Sequence, residues 1–312
     1  MADRAAPQLN EENSVPVPVQ PTRQPESSYR AGHEPSFTAM LHACLRNTHA
    51  TAHAAPIFTD TRSVQLVPVD VRHRVRIFMD GFSQETADSI VLMSVIRYRL
   101  LEERLPKANA TGVRQLVILG AGLDTTAFTL PAWANDWRVF EIDHPATQDW
   151  KRTRIADLGW KTPHNLVYAP CDFETQELLD ALDAAGFDRT QPAVASLFGV
   201  VLFLTSEATT NTLRQLAALA PQSEVTISYC PPPDGTDHVV TETFTKASPT
   251  VDATGESFIG YYREAEIDGL VRETGFSEVL HHPLAVLNAR YFNARADGLR
   301  LHPIEQLLTA VT

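Results

Sequence analysis

The residues with types and spacing suited to chemistry cluster around one glycine turn. An apolar run at 116–119 breaks at Gly120-Ala121-Gly122, and Asp124 follows two residues later. The pattern predicts a buried parallel strand, a tight turn and a helix N-terminus. A backbone without Cβ can turn sharply there and lie against a ligand. At the carboxyl edge of a first strand, such a turn holds nucleotide-like cofactors in doubly wound α/β proteins. Two further acids are placed to help, Asp143 at the end of a second apolar segment and Asp172 at the end of a third.

A nicotinamide or flavin fold calls for G-x-G-x-x-G, and here the third glycine position is Thr125, preceded by Asp124. A carboxylate competes with phosphate for the N–H groups of a helix terminus, so the turn is ill suited to a pyrophosphate. It suits a cofactor that presents a ribose, a base and a cationic amino-acid tail, as S-adenosyl-L-methionine does. Asp143 can accept hydrogen bonds from both ribose hydroxyls, a role that would equally serve NAD. Asp172 can reach an adenine amino group, with Phe173 covering the ring, or can simply cap the following helix.

The surrounding elements follow from periodicity. Residues 1–35 are polar and proline-rich around Val15-Pro-Val-Pro-Val-Gln-Pro21, which predicts an extended arm. Residues 36–110 read as helices: one from an N-cap at Ser36, one opened by Pro68, and a long one from Ser83 to about Leu105-Pro106. From 111 onward strands and helices alternate, with strands at 116–119, 137–142, 165–169, 192–197 and 224–229. A helix is expected from about 174 to 184. The Pro-, Gly- and Thr-rich segment 230–262 reads as a lid or substrate loop, and segments 277–281 and 286–292 as the last two strands. The expected fold is α/β, a doubly wound and mostly parallel seven-stranded sheet with an N-terminal helical extension and a lid after the fifth strand.

Composition narrows the class. The 312 residues are 44% hydrophobic and 21% charged, ordinary values for a globular protein. A net charge of −12 argues against nucleic acid as a partner. Cys44, Cys171 and Cys230 are far apart without metal spacing, which predicts small apolar residues in a reducing compartment and no metal. No signal-peptide core or 20-residue apolar span is evident, so a cytoplasmic protein acting on a small molecule, with no membrane partner, is expected.

The stretches Val113-Arg-Gln-Leu-Val-Ile-Leu-Gly-Ala-Gly-Leu-Asp-Thr125, Val139-Phe-Glu-Ile-Asp-His-Pro145, Trp150-Lys-Arg152 and Asp172-Phe-Glu174 resemble the leucine carboxyl methyltransferase family. The resemblance is to its bacterial and fungal branch, many of whose members are O-methyltransferases of natural-product pathways. It implies a class I, Rossmann-like methyltransferase fold with S-adenosyl-L-methionine as cofactor. It implies that Arg97, in an Arg-x-Arg-like element with Arg99, holds the methionyl carboxylate. Gly120, Ala121 and Gly122 would pass beneath the aminoacyl part, with Asp143 at the ribose and Asp172 and Phe173 at the adenine. The chain departs from the family at Thr126 and Thr129, where arginines are frequent. It departs again at Phe198-Gly-Val-Val-Leu-Phe-Leu204, where the family commonly has Glu-Gly-Val-x-x-Tyr-Leu. Phe198 then either faces a sulfonium as a cation–π partner or packs in the core. A carboxylate acceptor needs no general base and a hydroxyl gains from one. His144, His238, His281, His282, Tyr229, Tyr261 and Tyr262 are near the expected site, and none is singled out as that base. Two other functions remain open, intramolecular displacement on the cofactor and a non-catalytic binding module, with NAD-dependent oxidoreduction more distant.

Overall fold

The computed structural model describes residues 36–312; the proline-rich arm expected at 1–35 lies outside them. Five strands form the parallel part of one sheet: β1 (Gln115–Leu119), β2 (Arg138–Asp143), β3 (Leu166–Pro170), β4 (Val194–Leu197) and β5 (Glu224–Tyr229). Two antiparallel strands complete it, β6 (Glu278–His281) and β7 (Gln306–Val311), in the order β3-β2-β1-β4-β5-β7-β6. The expected seven-stranded, mostly parallel sheet is therefore present. All five residues of β1 are buried, as a strand covered on both faces requires. Val117 and Leu119 join one apolar cluster with Phe140, Ile142, Leu197 and Ile227, while Leu116 and Ile118 point to the other.

The strand order reverses between parallel neighbours β1 and β4, and such a switch point opens a crevice at the carboxyl ends of the strands. Register decides what lies there. Leu119 is level with Ile142 on β2 and with Leu197 on β4, so Gly120, Asp143 and Phe198 emerge side by side. Antiparallel β7 starts at the same edge, since Gln306 is level with Tyr229 at the end of β5. The residue before it, Glu305, is delivered to the crevice by that reversal.

Four helices precede the sheet: α1 (Phe37–Ala52), α2 (Ser63–Leu66), α3 (Val69–Met79) and α4 (Gln84–Ala110). The Ser36 hydroxyl accepts from the Ala39 N–H at 3.1 Å, the expected cap of α1. Pro68 occupies the N-cap position of α3. The long helix α4 does not stop at Pro106 but continues to Ala110. A proline in a helix interior removes one backbone donor and crowds the preceding turn. Here burial of Leu105 and Ala108, and the Trp137 Nε1–Asn109 Oδ1 bond of 3.0 Å, hold the last turn in place.

The remaining helices are α5 (Pro145–Asp157), α6 (Leu178–Ala184), α7 (Ser206–Ala217), α8 (His238–Asp252), α9 (Glu264–Glu273) and α10 (Leu284–Tyr291). Four expectations are corrected. No α-helix follows the glycine turn; 3-10 turns at Thr126–Phe128 and Ala132–Ala134 connect β1 to β2. The helix expected from 174 begins only at Leu178, because Asp172 first folds its own turn. Segment 230–262 is not a featureless loop. Asp237 accepts from the N–H groups of Val239 and Val240 and starts α8, whose Val240, Thr243, Phe244, Ala247 and Val251 are buried at helical spacing. Segment 286–292 lies mostly in helix α10, with Pro283 before it and Leu287 buried. The last strand is instead Gln306–Val311, which the periodicity reading missed.

Helix α8 is tied to the start of α4. The Glu242 carboxylate accepts from the Ser83 N–H at 2.9 Å and the Ser83 hydroxyl at 2.6 Å, with Lys246 also bonded to it. Those donors hold its carboxyl far below the usual carboxylate range. At the other end of the segment, the N–H of Gly260 donates to the Leu202 carbonyl at 2.9 Å. A Cβ at 260 would lie 1.9 Å from the Val201 carbonyl oxygen. Gly260→Ala is therefore expected to cost about 1–3 kcal/mol or more, the scale of overpacking. A urea titration reads this, and an unchanged midpoint would refute the close seating of the segment on 201–204.

Candidate active site

The glycine turn is shaped by its neighbours. Gly120 has φ +62°, and a Cβ there would sit 2.2 Å from the Val200 side chain. Gly122 has φ +48°, with Ala39 of α1 pressed against it. The loop after the turn is fastened from below. Arg46 Nε donates to Asp60 at 2.8 Å and Arg46 Nη2 to the Leu123 carbonyl at 3.1 Å. Asp60 in turn accepts from the Thr125 hydroxyl at 3.3 Å. Asp124 accepts from the Thr126 N–H at 2.6 Å, closing a local turn.

Asp143 stands directly across from the turn. One carboxylate oxygen accepts from the Gly122 N–H and the other from the His144 N–H at 2.7 Å. Desolvation raises its pKa, and the two backbone donors pull it back down. His144 caps α5, its Nδ1 accepting from the Ala146 N–H at 3.2 Å. Asp172 accepts from the Glu174 N–H at 3.0 Å and the Thr175 hydroxyl at 2.9 Å, so it caps a turn rather than α6 itself. Phe173 lines the same cavity beside it and packs on the core.

Arg97, at mid-α4, is buried and lines the same cavity. Its Nη1 donates to Glu305 at 2.9 Å, and Gly199, at φ +66°, lies against the guanidinium. Phe198 is 8% exposed; it packs edge-on against Tyr98 with centroids 5.7 Å apart, and it lines the cavity. The structure thus brings Arg97, Gly120, Ala121, Gly122, Asp143, Asp172, Phe173 and Phe198 around one cavity. Arg99 is not with them; it pairs with Glu103 on the outer face of α4.

Against this geometry, the family model described as leucine carboxyl methyltransferase matches residues 39–217, more than half of the chain. The chain belongs to the leucine carboxyl methyltransferase family. By that membership it is an S-adenosyl-L-methionine-dependent methyltransferase. The Bacillus subtilis protein named "Putative S-adenosyl-L-methionine-dependent methyltransferase YktD" is 28% identical over 290 residues, covering 85% of this chain and 94% of that protein. A Mycolicibacterium paratuberculosis protein, "Putative S-adenosyl-L-methionine-dependent methyltransferase", is 31% identical over 249 residues, covering 76% of this chain and 74% of its own length. The fold is shared with the crystal structure of "a putative methyltransferase" from Thermobifida fusca, at TM-score 0.58 and 16% identity over 90% of this chain and 96% of that one. A duf574 family protein from Streptomyces avermitilis has TM-score 0.58 and 15% identity over 91% of this chain and 100% of that one.

The family's cofactor fits the residues present. Two left-handed glycines open the backbone on the cavity. Buried polar atoms of three lining residues, Arg97 Nε, Asp124 Oδ2 and Glu305 Oε2, have no hydrogen-bond partner among the described residues. A cofactor with polar groups at both ends can use such atoms, which otherwise cost about 1–3 kcal/mol each.

Several lining residues escaped the sequence reading. Glu305 precedes the strand that periodicity missed. Glu256 follows α8 and is 9% exposed, its Oε2 accepting from Thr38 at 3.5 Å; burial raises its pKa. His42 bonds Ser94 at 2.7 Å, and burial beside Arg97 and Arg46 keeps its pKa low. Conversely, His238, His281 and His282 lie outside the cavity, paired with Glu85, Asp268 and Thr309. Tyr229, Tyr261 and Tyr262 are not among its lining residues either. Cys44, Cys171 and Cys230 are buried free thiols whose pKa values burial raises, which disfavours the thiolate. Among the described residues no helix is long and apolar enough to cross a membrane.

Proposed function

We propose that the protein transfers the methyl group of S-adenosyl-L-methionine to a carboxylate or hydroxyl oxygen of a small molecule, an acid or phenol of secondary metabolism. The observation that carries this reading is the convergence of the glycine turn, Asp143 and Arg97 on one cavity, in a family described by carboxyl methylation. We assign Arg97 to the cofactor carboxylate, Asp143 to the ribose hydroxyls, and Asp172 with Phe173 to the adenine. Gly120, Ala121 and Gly122 form the floor beneath the aminoacyl part, and Phe198 a wall beside the sulfonium. The bound cofactor supplies a methyl group activated by positive sulfur. The chain's own task is to align the acceptor and exclude water. The start of α1, through Ser36 and Thr38, and segment 230–262, through Glu256, contribute to the cavity lining, which favours a small acceptor and a lid role for that segment.

Labelled cofactor incubated with a panel of acids and phenols is expected to yield a methylated product and adenosylhomocysteine. Methylthioadenosine formed without any acceptor would instead establish intramolecular displacement and overturn methyl transfer. Glu256 is the lining carboxyl we assign as proton acceptor for a hydroxyl substrate. Glu256→Gln should lower kcat about 100-fold or more for phenols, the scale of general-base catalysis, while carboxylate acceptors stay within a few-fold. Equal losses for both classes would remove Glu256 from that role.

A further inference from the structure

The Arg97–Glu305 pair is hard to explain as a stabilising contact. Its side chains are 4% and 2% exposed, with a separation of 2.9 Å. Desolvation of such a pair offsets most of its attraction, and an apolar pair of similar volume would usually serve stability as well. The pair is also incompletely used. Arg97 Nε and Glu305 Oε2 have no hydrogen-bond partner among the described residues, and both side chains line the cavity. Its placement is enforced from several directions. Glu305 is brought to the carboxyl edge by the antiparallel course of β7. Arg97 is pressed by Gly199, where an added Cβ would lie 3.1 Å from Nη1. The Phe198 ring, 6.0 Å away, adds an apolar wall and no acceptor.

A guanidinium beside a carboxylate, each with a free hydrogen-bonding position, is the complement of a zwitterionic α-amino acid. The fork takes the carboxylate, and the acid takes the ammonium. We propose that Glu305 is the receptor for the α-ammonium group of the cofactor's amino-acid end, acting beside Arg97. This assignment rests on the reading that the cavity holds S-adenosyl-L-methionine. Most other lining carboxylates are already engaged: Asp143 and Asp172 by backbone donors, and Glu174 by the N–H and hydroxyl of Thr205. Asp124, one of whose oxygens has no hydrogen-bond partner among the described residues, and Glu256, held by Thr38 at 3.5 Å, are the competing acceptors.

Calorimetry on the full chain separates these possibilities with two ligands, adenosylhomocysteine and methylthioadenosine, which lacks the amino-acid end. Glu305→Gln is expected to weaken adenosylhomocysteine at least tenfold and to leave methylthioadenosine within twofold, so that the second ligand reports an intact nucleoside site. The double variant Arg97→Met with Glu305→Leu removes both charges together and should erase the preference for adenosylhomocysteine without unfolding the chain. Unchanged or tighter adenosylhomocysteine binding by Glu305→Gln, or a loss of preference in Asp124→Asn instead, overturns the assignment. Failure of the wild-type protein to bind either ligand overturns the cofactor reading, and the assignment with it.

Discussion

Asp143→Ala is expected to weaken S-adenosyl-L-methionine binding by about 100-fold or more. The carboxylate lies level with the glycine turn at the end of β2, as the pairing of Leu119 with Ile142 requires. Hydrogen bonds to a charged acceptor contribute about 1.5–3 kcal/mol each, and each 1.4 kcal/mol is a factor of ten in affinity. The two ribose hydroxyls we assign to Asp143, lost together, reach at least the hundredfold range. The substitution has a second consequence. The N–H groups of Gly122 and His144 both donate to this carboxylate, so alanine leaves the turn and the start of α5 without an acceptor. Asp143→Asn separates the two effects, because the amide oxygen can keep one backbone bond while the charge is lost. Calorimetry should rank wild type, Asn and Ala in falling affinity, with the melting temperature of the unliganded protein falling clearly only for Ala. Equal affinity in all three would remove Asp143 from the site.

The features read correctly from the sequence are those whose cause is local. The continuous apolar run of β1, the glycines that must take positive φ, the acid that ends β2 and the acid two residues past β3 each announce themselves within a few residues. Parallel strands then place those ends along one edge without further information. What could not be read depends on long-range closure. Glu305 meets Arg97 across 208 positions in the chain, through a strand whose Leu-Leu-Thr-Ala-Val pattern carries no clean alternation. Glu256 reaches the cavity behind a helix masked by proline, glycine and threonine composition. The assignment of α10 as a strand failed because Val286, Leu287 and Tyr291 suit either state. Helical spacing buries only Leu287 and leaves Val286 58% exposed. Phe198 shows the same limit in the site itself. The sequence marks the absence of an acid from the end of β4, but only the sheet topology shows a carboxylate arriving from β7.

Lys151→Met should destabilise the protein increasingly as pH rises above 7, towards the scale of about 3–5 kcal/mol for stranding one partner of a buried ion pair. Lys151 of α5 and Glu141 of β2 are each 1% exposed and meet at 2.6 Å. Lys151 bonds Oε2, and Glu141 Oε1 has no hydrogen-bond partner among the described residues. Burial pushes the Glu141 carboxyl up to about 7, against the pull of the Lys151 ammonium, and nearby Asp124 and Asp143 push the same way. The sign of the pH dependence follows. A carboxyl whose folded pKa lies above its unfolded value of 4.5 contributes stability that is complete below that value and is lost as pH rises through the folded pKa. Removing the ammonium raises the folded pKa further, so the loss of about 1.4 kcal/mol per pH unit continues above pH 7, where wild type has levelled off. The deficit of Lys151→Met relative to wild type should accordingly be small near pH 5 and largest above pH 7. Urea titrations at pH 5 and pH 8 measure it, and equal deficits would show that lost packing, not a stranded charge, is the cause. Adding Glu141→Leu should restore most of the stability, because no charge then remains to be buried. The double variant also tests function, since Glu141 lies two residues before Asp143 on the same strand. Retained cofactor affinity would show that the pair secures β2 against α5, and that Asp143 needs only the strand's register to stand where it does.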